Sequence, residues 1–161
     1  LNWTYGAHGV ELEVDTDTGH IQVLKLVSAF DVGKAINLQQ CRMQVIGGVI
    51  QGLGSAVMEK FVFDRGRLVN NSFTDYKIPT AKDLPLEMKQ MFVETPHPQG
   101  PYGARGVAEH PMISVPGAVG NALACATGVE FFELPLDPET VFLGLKRAAA
   151  ERAKGGGKAG A

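Results

Sequence analysis

The run Val10-Glu11-Leu12-Glu13-Val14, followed by Asp15-Thr16-Asp17-Thr18-Gly19-His20 and then Ile21-Gln22-Val23-Leu24-Lys25-Leu26, decides the fold class. Val10, Leu12 and Val14 alternate with Glu11, Glu13 and Asp15, so one face of an extended chain is apolar and the other is acidic. The middle run is turn chemistry and the third resumes a strand, which together predict a β-hairpin. The strand pattern reaches back to Tyr5, and Asp31-Val32-Gly33 ends the second strand. Asn37 stands as the N-cap of a helix running to about Lys60, because its short side chain can accept from a free N–H of the first turn. A hairpin followed at once by a long helix, and then by more strands, predicts an α+β fold of β-hairpins packed with two main helices.

Further along, Phe61-Val62-Phe63, the turn Asp64-Arg65-Gly66-Arg67 and Leu68-Val69 predict a second hairpin. Residues 70 to 87 are polar and interrupted by proline, and Met88 to Glu94 suit another strand. Pro96, Pro98, Gly100, Pro101 and Gly103 make an irregular loop. A second helix is expected between about Pro111 and Thr127, starting late if Pro116 breaks it, with Gly128 at C′. A last short helix spans Thr140 to Arg152, and residues 153–161 read as a flexible tail after a body of residues 1–152.

The composition narrows the function classes. With 161 residues, 45% hydrophobic and 20% charged, the chain can bury one modest core. Fifteen Lys and Arg stand against 17 Asp and Glu, for a net charge of −2, which leaves no electrostatic footprint for nucleic acid or an anionic membrane. Apolar runs are broken before the roughly 20 residues of a membrane span, so a soluble, cytoplasmic protein is expected. Cys41 and Cys125 lack CxxC spacing and are expected as buried free thiols rather than metal or disulfide ligands. Leu1 is not an initiator methionine, and the strand pattern begins almost at once, so either an upstream region was removed or this is one part of a longer chain.

Two places carry more than packing. At about 100° per residue, Ile46, Val49, Ile50, Leu53 and Val57 fall on one side of the first helix, and Gln44, Gly47, Gly48, Gln51 and Ser55 on the other. Gly47, Gly48 and Gly52 each cost about 1 kcal/mol against Ala inside a helix. Either close packing of a neighbouring element or the approach of a bulky cofactor, with Gln44 and Gln51 offering amides, would offset that cost. The second place is Gly100-Pro101-Tyr102-Gly103-Ala104-Arg105-Gly106-Val107-Ala108-Glu109-His110-Pro111, a glycine-spaced loop that leads into a helix. Glu109 there is either a solvent-facing support of the helix start or a presented carboxylate, whose pKa desolvation would raise and the helix N-terminus would lower. His110 has no second ligand nearby in sequence and reads as a surface or core histidine.

These segments resemble a known family. Gln44-Val45-Ile46-Gly47-Gly48-Val49-Ile50-Gln51-Gly52-Leu53-Gly54 is similar to the Q-x-x-G-(G/A)-x-x-Q-G-(L/I)-G segment of the large subunits of xanthine dehydrogenase, aldehyde oxidoreductase and carbon monoxide dehydrogenase. Gly103-Ala104-Arg105-Gly106-Val107-Ala108-Glu109 resembles the segment whose glutamate lies beside molybdenum in that family. Ala29-Phe30-Asp31-Val32-Gly33-Lys34-Ala35-Ile36-Asn37, with the pattern D-x-G-x-x-(I/L)-N from Asp31, and Asp75-Tyr76-Lys77-Ile78-Pro79-Thr80 resemble two further segments, in the same order. The resemblance implies that residues 1–152 are the C-terminal portion of a domain binding a molybdenum-pyranopterin cofactor, with no side chain ligating the metal. It implies Glu109 as catalytic base and cofactor contacts at Gln44, Gly47, Gly48, Arg105 and Gly106.

The activity implied is hydroxylation of an sp² carbon of an N-heterocycle or aldehyde with water-derived oxygen. Implied partners are the upstream part of the molybdenum-binding subunit, modules carrying 2Fe-2S and FAD, and a small-molecule substrate. The chain departs from the family in Ala108, where many relatives carry glycine, and in His110, where many carry proline; both flank Glu109 and point to a divergent substrate class. With the upstream half of the pocket missing, the isolated chain is expected to be inactive, to bind no cofactor and to self-associate. The alternative is a cofactor-free, self-associating structural module derived from the family.

Overall fold

The computed structural model describes residues 3–155. Strand β1 (Gly6–Val14) pairs antiparallel with β2 (Ile21–Asp31) as a hairpin, with a register shift between Glu11 and Leu12. Helix α1 (Leu38–Val57) follows, capped by Asn37, whose side chain accepts from the Gln40 N–H. Strands β3 (Phe63–Asp64) and β4 (Arg67–Leu68) form a small separate hairpin. Strand β5 (Glu87–Val93) then joins the first sheet beside β2, parallel to it, for the order β1-β2-β5. A 3₁₀ turn at Pro101–Gly103 precedes α2 (His110–Ile113), α3 (Val115–Thr127) and α4 (Pro138–Gly155). The class is α+β, a mixed sheet with helices on one face.

The period of two predicted for the first hairpin holds across the sheet. Leu26, Ser28 and Phe30 of β2 point into the core, flanked by Val10 and Leu12 of β1 and by Met88 and Phe92 of β5. Val45, Val49, Leu53 and Ala56 of α1 close over them with Val115, Val119 and Leu123 of α3, and Leu136 and Val141 join the same cluster. Among the described residues nothing covers the opposite sheet face: Ala7, Gly9, Met91 and Val93 are exposed there, beside the Lys25–Glu87 and Lys89–Glu87 ion pairs.

Several expectations are corrected. The core face of α1 includes Val45, Gly48, Val49, Gly52, Leu53 and Ala56, so Gly48 lies on the packed side, whereas Gln44 one turn earlier is exposed. The reason is steric: Gly48 and Gly52 let α2 and the start of α3 come close, and a Cβ on Gly52 would stand 2.6 Å from the Met112 carbonyl oxygen. The second hairpin turns on Arg65 and Gly66 alone, both at positive φ (48° and 80°), the geometry of a two-residue hairpin loop. The expected second helix is two, because Ser114 interrupts it just before Pro116. It ends as expected, with Gly128 left-handed at φ 67°. Helix α4 runs past Arg152 to Gly155, and the rest of the expected tail, 156–161, lies outside the described residues. The two cysteines are free but not buried: Cys41 is half-buried and Cys125 exposed. Among the described residues no helix is long and apolar enough to cross a membrane.

Candidate active site

The parallel pairing of β2 with β5 brings both strands to an end on the same side, and a strap of polar contacts ties the two ends together. Asp31, the last residue of β2, accepts the N–H of Gly33 (2.9 Å) and the N–H of Thr95 (3.1 Å) on one carboxylate oxygen. Its other oxygen faces Arg105 Nε at 3.6 Å, with both side chains largely buried. Arg105 also donates to the carbonyls of Thr95 (3.3 Å) and Trp3 (3.0 Å). Burial alone would raise the Asp31 pKa, but hydrogen bonds from Gly33 and Thr95, with the Arg105 charge, outweigh it and hold the carboxyl below its ordinary value. Glu94 adds a second tie, accepting the Ala35 N–H (2.8 Å) and pairing with Lys34 (2.9 Å).

This strap seats the glycine-spaced loop. Gly33, at φ 63°, pairs with Ala104, and a Cβ there would collide with the Gly103 carbonyl. The Gly103 carbonyl accepts from Lys34 N–H (2.8 Å) and His97 N–H (2.9 Å), and Arg105 N–H donates to Val32 (2.9 Å). Two segments singled out from the sequence, 31–37 and 103–109, are thus brought side by side. Together with the first turns of α1 they wall an open groove of about 710 Å³, lined by Lys34, Asn37, Gln40, Gln44, Ala104 and Arg105 among others.

The expected cofactor residues divide. Gln44 is exposed on the groove wall, and Gly47, one turn further along α1, is exposed as well. A Cβ on Gly47 or on Gly106 would meet nothing within 4 Å, so both glycines leave open space beside the groove that a bulky group can occupy. Gly48 belongs elsewhere: a Cβ there would lie 3.0 Å from Pro111 Cβ, and it serves as a seat for α2. Arg105 touches the groove, but its guanidinium is spent on Asp31 and two carbonyls.

Glu109 is exposed and occupies the N-cap position of α2, its carbonyl accepting Met112 N–H at 2.9 Å. Its neighbour His110 packs edge-on against Phe30, with ring centroids 5.0 Å apart, and its Nε2 is buried with no hydrogen-bond partner among the described residues. Burial holds the His110 pKa below its ordinary value. Phe30 also meets His8 edge-on, with ring centroids 5.3 Å apart. His8 escaped the sequence reading although a signal was present: it shares the parity of Val10, Leu12 and Val14, so a polar ring was due on the core face. The contacts of Asp31, Glu94 and Thr95 escaped for a different reason, since their partners are set by the strand pairing.

Comparison with known proteins supplies the context. Residues 1–85 match the family model of the molybdopterin cofactor-binding domain. The chain is 34% identical over 145 residues to the 6-hydroxypseudooxynicotine dehydrogenase complex subunit gamma of Paenarthrobacter nicotinovorans, covering 88% of this chain and 18% of that relative. It is 36% identical over 146 residues to the aldehyde oxidoreductase of Megalodesulfovibrio gigas, covering 89% of this chain and 16% of that one. Among solved structures, quinoline 2-oxidoreductase from Pseudomonas putida superposes with a TM-score of 0.82 at 32% identity, over 88% of this chain and 18% of that one. The chain therefore spans less than a fifth of the length of these relatives.

Proposed function

The chain belongs to the molybdopterin cofactor-binding domain family, and from that we propose that residues 1–152 act as the C-terminal portion of the molybdenum-cofactor domain of a hydroxylase, with Glu109 as its base. The observation that carries the reading is the placement of Glu109: exposed at the head of α2, directly after the loop that lines the same groove as Gln44. The residues present fit the group. Gln44 can hydrogen-bond a pterin edge, while Gly47 and Gly106 leave room for one. Gly48 and Arg105 take part by seating α2 and the loop rather than by touching it.

When bound, molybdenum held by a pyranopterin supplies the two-electron chemistry. The protein's part is positional and acid–base. The Glu109 carboxylate takes up the proton released as a water-derived oxygen forms its bond to an sp² carbon of the substrate, and a general base of this kind contributes about 10² to 10⁴-fold. Relatives named for nicotine derivatives, quinoline and aldehyde support an N-heterocycle or aldehyde as substrate class. The electrons must leave through other modules, because Cys41 and Cys125 cannot supply the four thiolates of a 2Fe-2S cluster. The partners are accordingly the remainder of a molybdenum-binding subunit with iron–sulfur and FAD modules, assembled in the cytoplasm.

The test is Glu109→Gln in the molybdenum-loaded holoenzyme containing this chain. Cofactor content should stay within about a fifth of wild type while turnover falls by about 10² to 10⁴-fold. Cofactor lost together with activity would make Glu109 a structural carboxylate. A second reading, a cofactor-free self-associating module, is favoured by the uncovered sheet face at Ala7, Gly9, Met91 and Val93. Cofactor retained on co-expression with the missing part of the subunit would exclude it.

A further inference from the structure

Glu109 has no anchor of its own side chain among the described hydrogen bonds, so the fixity of α2 must come from its surroundings, and that fixity converges on Pro111. His8 and Ser28 face each other across the β1–β2 pair. Ser28 is buried, its Oγ lies 2.9 Å from His8 Nδ1, and His8 Nε2 reaches the carbonyl oxygen of Pro111 at 2.8 Å. A carbonyl can only accept, so Nε2 carries the proton and Nδ1 accepts from the serine hydroxyl. The Pro111 carbonyl thus sets the tautomer, and the serine hydroxyl, free to donate or accept, satisfies the other ring nitrogen. Helix α2 is four residues long and cannot satisfy its own carbonyls, which is why an outside donor to Pro111 matters. Helix α1 also presses Gly48 against the same proline, with a Cβ there only 3.0 Å from Pro111 Cβ. Phe30 packs edge-on against the rings of both His8 and His110.

We propose that His8, its ring oriented by the contact of Nδ1 with Ser28, is a positioning residue for the hydroxylation: its hydrogen bond to the Pro111 carbonyl fixes the turn that presents Glu109 to the substrate. The role rests on the reading of Glu109 as base. Its contribution is geometric, and a displacement of about 1 Å at a reacting group can cost on the order of 10²-fold.

The experiment compares His8→Leu, His8→Gln and Ser28→Ala in the molybdenum-loaded holoenzyme. His8→Leu removes the donor and should lower kcat by about tenfold to a hundredfold, with KM within about threefold and molybdenum content unchanged. Glutamine's amide can reach the same carbonyl, so His8→Gln should recover turnover to within about fivefold of wild type, and Ser28→Ala should fall between. In a Glu109→Gln background, His8→Leu should cost less than about twofold more, because two groups acting through one step are not additive. Hydrogen exchange gives a readout independent of turnover: the Met112 amide, bonded to Glu109, should exchange about tenfold faster in His8→Leu and not in His8→Gln. His8→Gln as slow as His8→Leu, or an unchanged Met112 amide, overturns the proposal. Glu109→Gln slow with His8→Leu at the wild-type rate overturns the role of His8 alone. Glu109→Gln at the wild-type rate overturns the base, and with it that role.

Discussion

Gly47 and Gly48 are consecutive on α1 and meet opposite surroundings: a Cβ on Gly48 would stand 3.0 Å from Pro111 Cβ, while one on Gly47 would touch nothing within 4 Å. Gly48→Leu should therefore destabilise the chain by about 1–3 kcal/mol through overpacking, despite leucine's better helix propensity. Gly47→Leu should leave the thermal midpoint unchanged or higher, yet block cofactor loading in the holoenzyme. Circular dichroism melts and molybdenum analysis check the pair, and full molybdenum content in Gly47→Leu would move the cofactor off that face.

The Asp31–Arg105 contact makes the loop sensitive to acid. The folded-state pKa of Asp31 lies below its unfolded value, so between the two the unfolded chain binds the extra proton. The stabilisation is present above the ordinary carboxylate range and is lost as pH falls through the folded value. Asp31→Asn leaves Arg105 buried without its counter-charge and should cost on the order of 3 kcal/mol at neutral pH. It should also flatten the acid limb of stability, measured by urea unfolding from about pH 7 to about pH 2. An acid limb as steep as wild type would assign the loss to other carboxylates.

His110 acts in a milder pH range. Burial depresses its pKa, so the folded chain holds it neutral while the unfolded chain protonates it below about 6.5. Its contribution is complete above that value and declines as pH falls toward the folded pKa. His110→Phe keeps a ring against Phe30 and removes the unpartnered Nε2. Stability near neutrality should rise by about 1 kcal/mol, and part of the decline below about pH 6.5 should disappear, leaving the share that His8 contributes. A variant less stable than wild type at neutral pH would mean that Nε2 is satisfied.

Purified alone, the chain should associate through its uncovered sheet face, where Met91 and Val93 are exposed on an edge strand. Sedimentation across the micromolar range should show oligomers, and Met91→Lys with Val93→Glu should shift them to monomer. A monomer at all concentrations in the unaltered chain would count against an interface there.

The first hairpin, the Asn37 cap and the Gly128 stop were legible because each depends on neighbours within a few residues. The parity of β1 even extends to His8, so its burial could have been inferred. Its partner could not: Pro111 is 103 positions away, and no local pattern records that contact. The glycines show the same boundary. Their helical cost was plain, but which one faces Pro111 and which faces open space depends on where α2 docks. Glu109 was found by its loop and by family resemblance, whereas the Asp31–Thr95–Arg105 strap required knowing that β5 runs parallel to β2.

That parallel pairing also sets an order of assembly. The β1–β2 hairpin closes locally, but β5 can join β2 only after α1 and the small hairpin have been spanned, and long loop closures of this kind are slow. The loop of residues 103–109 hangs from the end of β5, so the groove has one wall early and its second only once the slowest pairing is complete. In pulse-labelled refolding, amides of the hairpin should gain protection before that of Arg105, which waits for its bond to Val32. The groove thus stays open on the loop side for as long as the chain is still searching for its last strand.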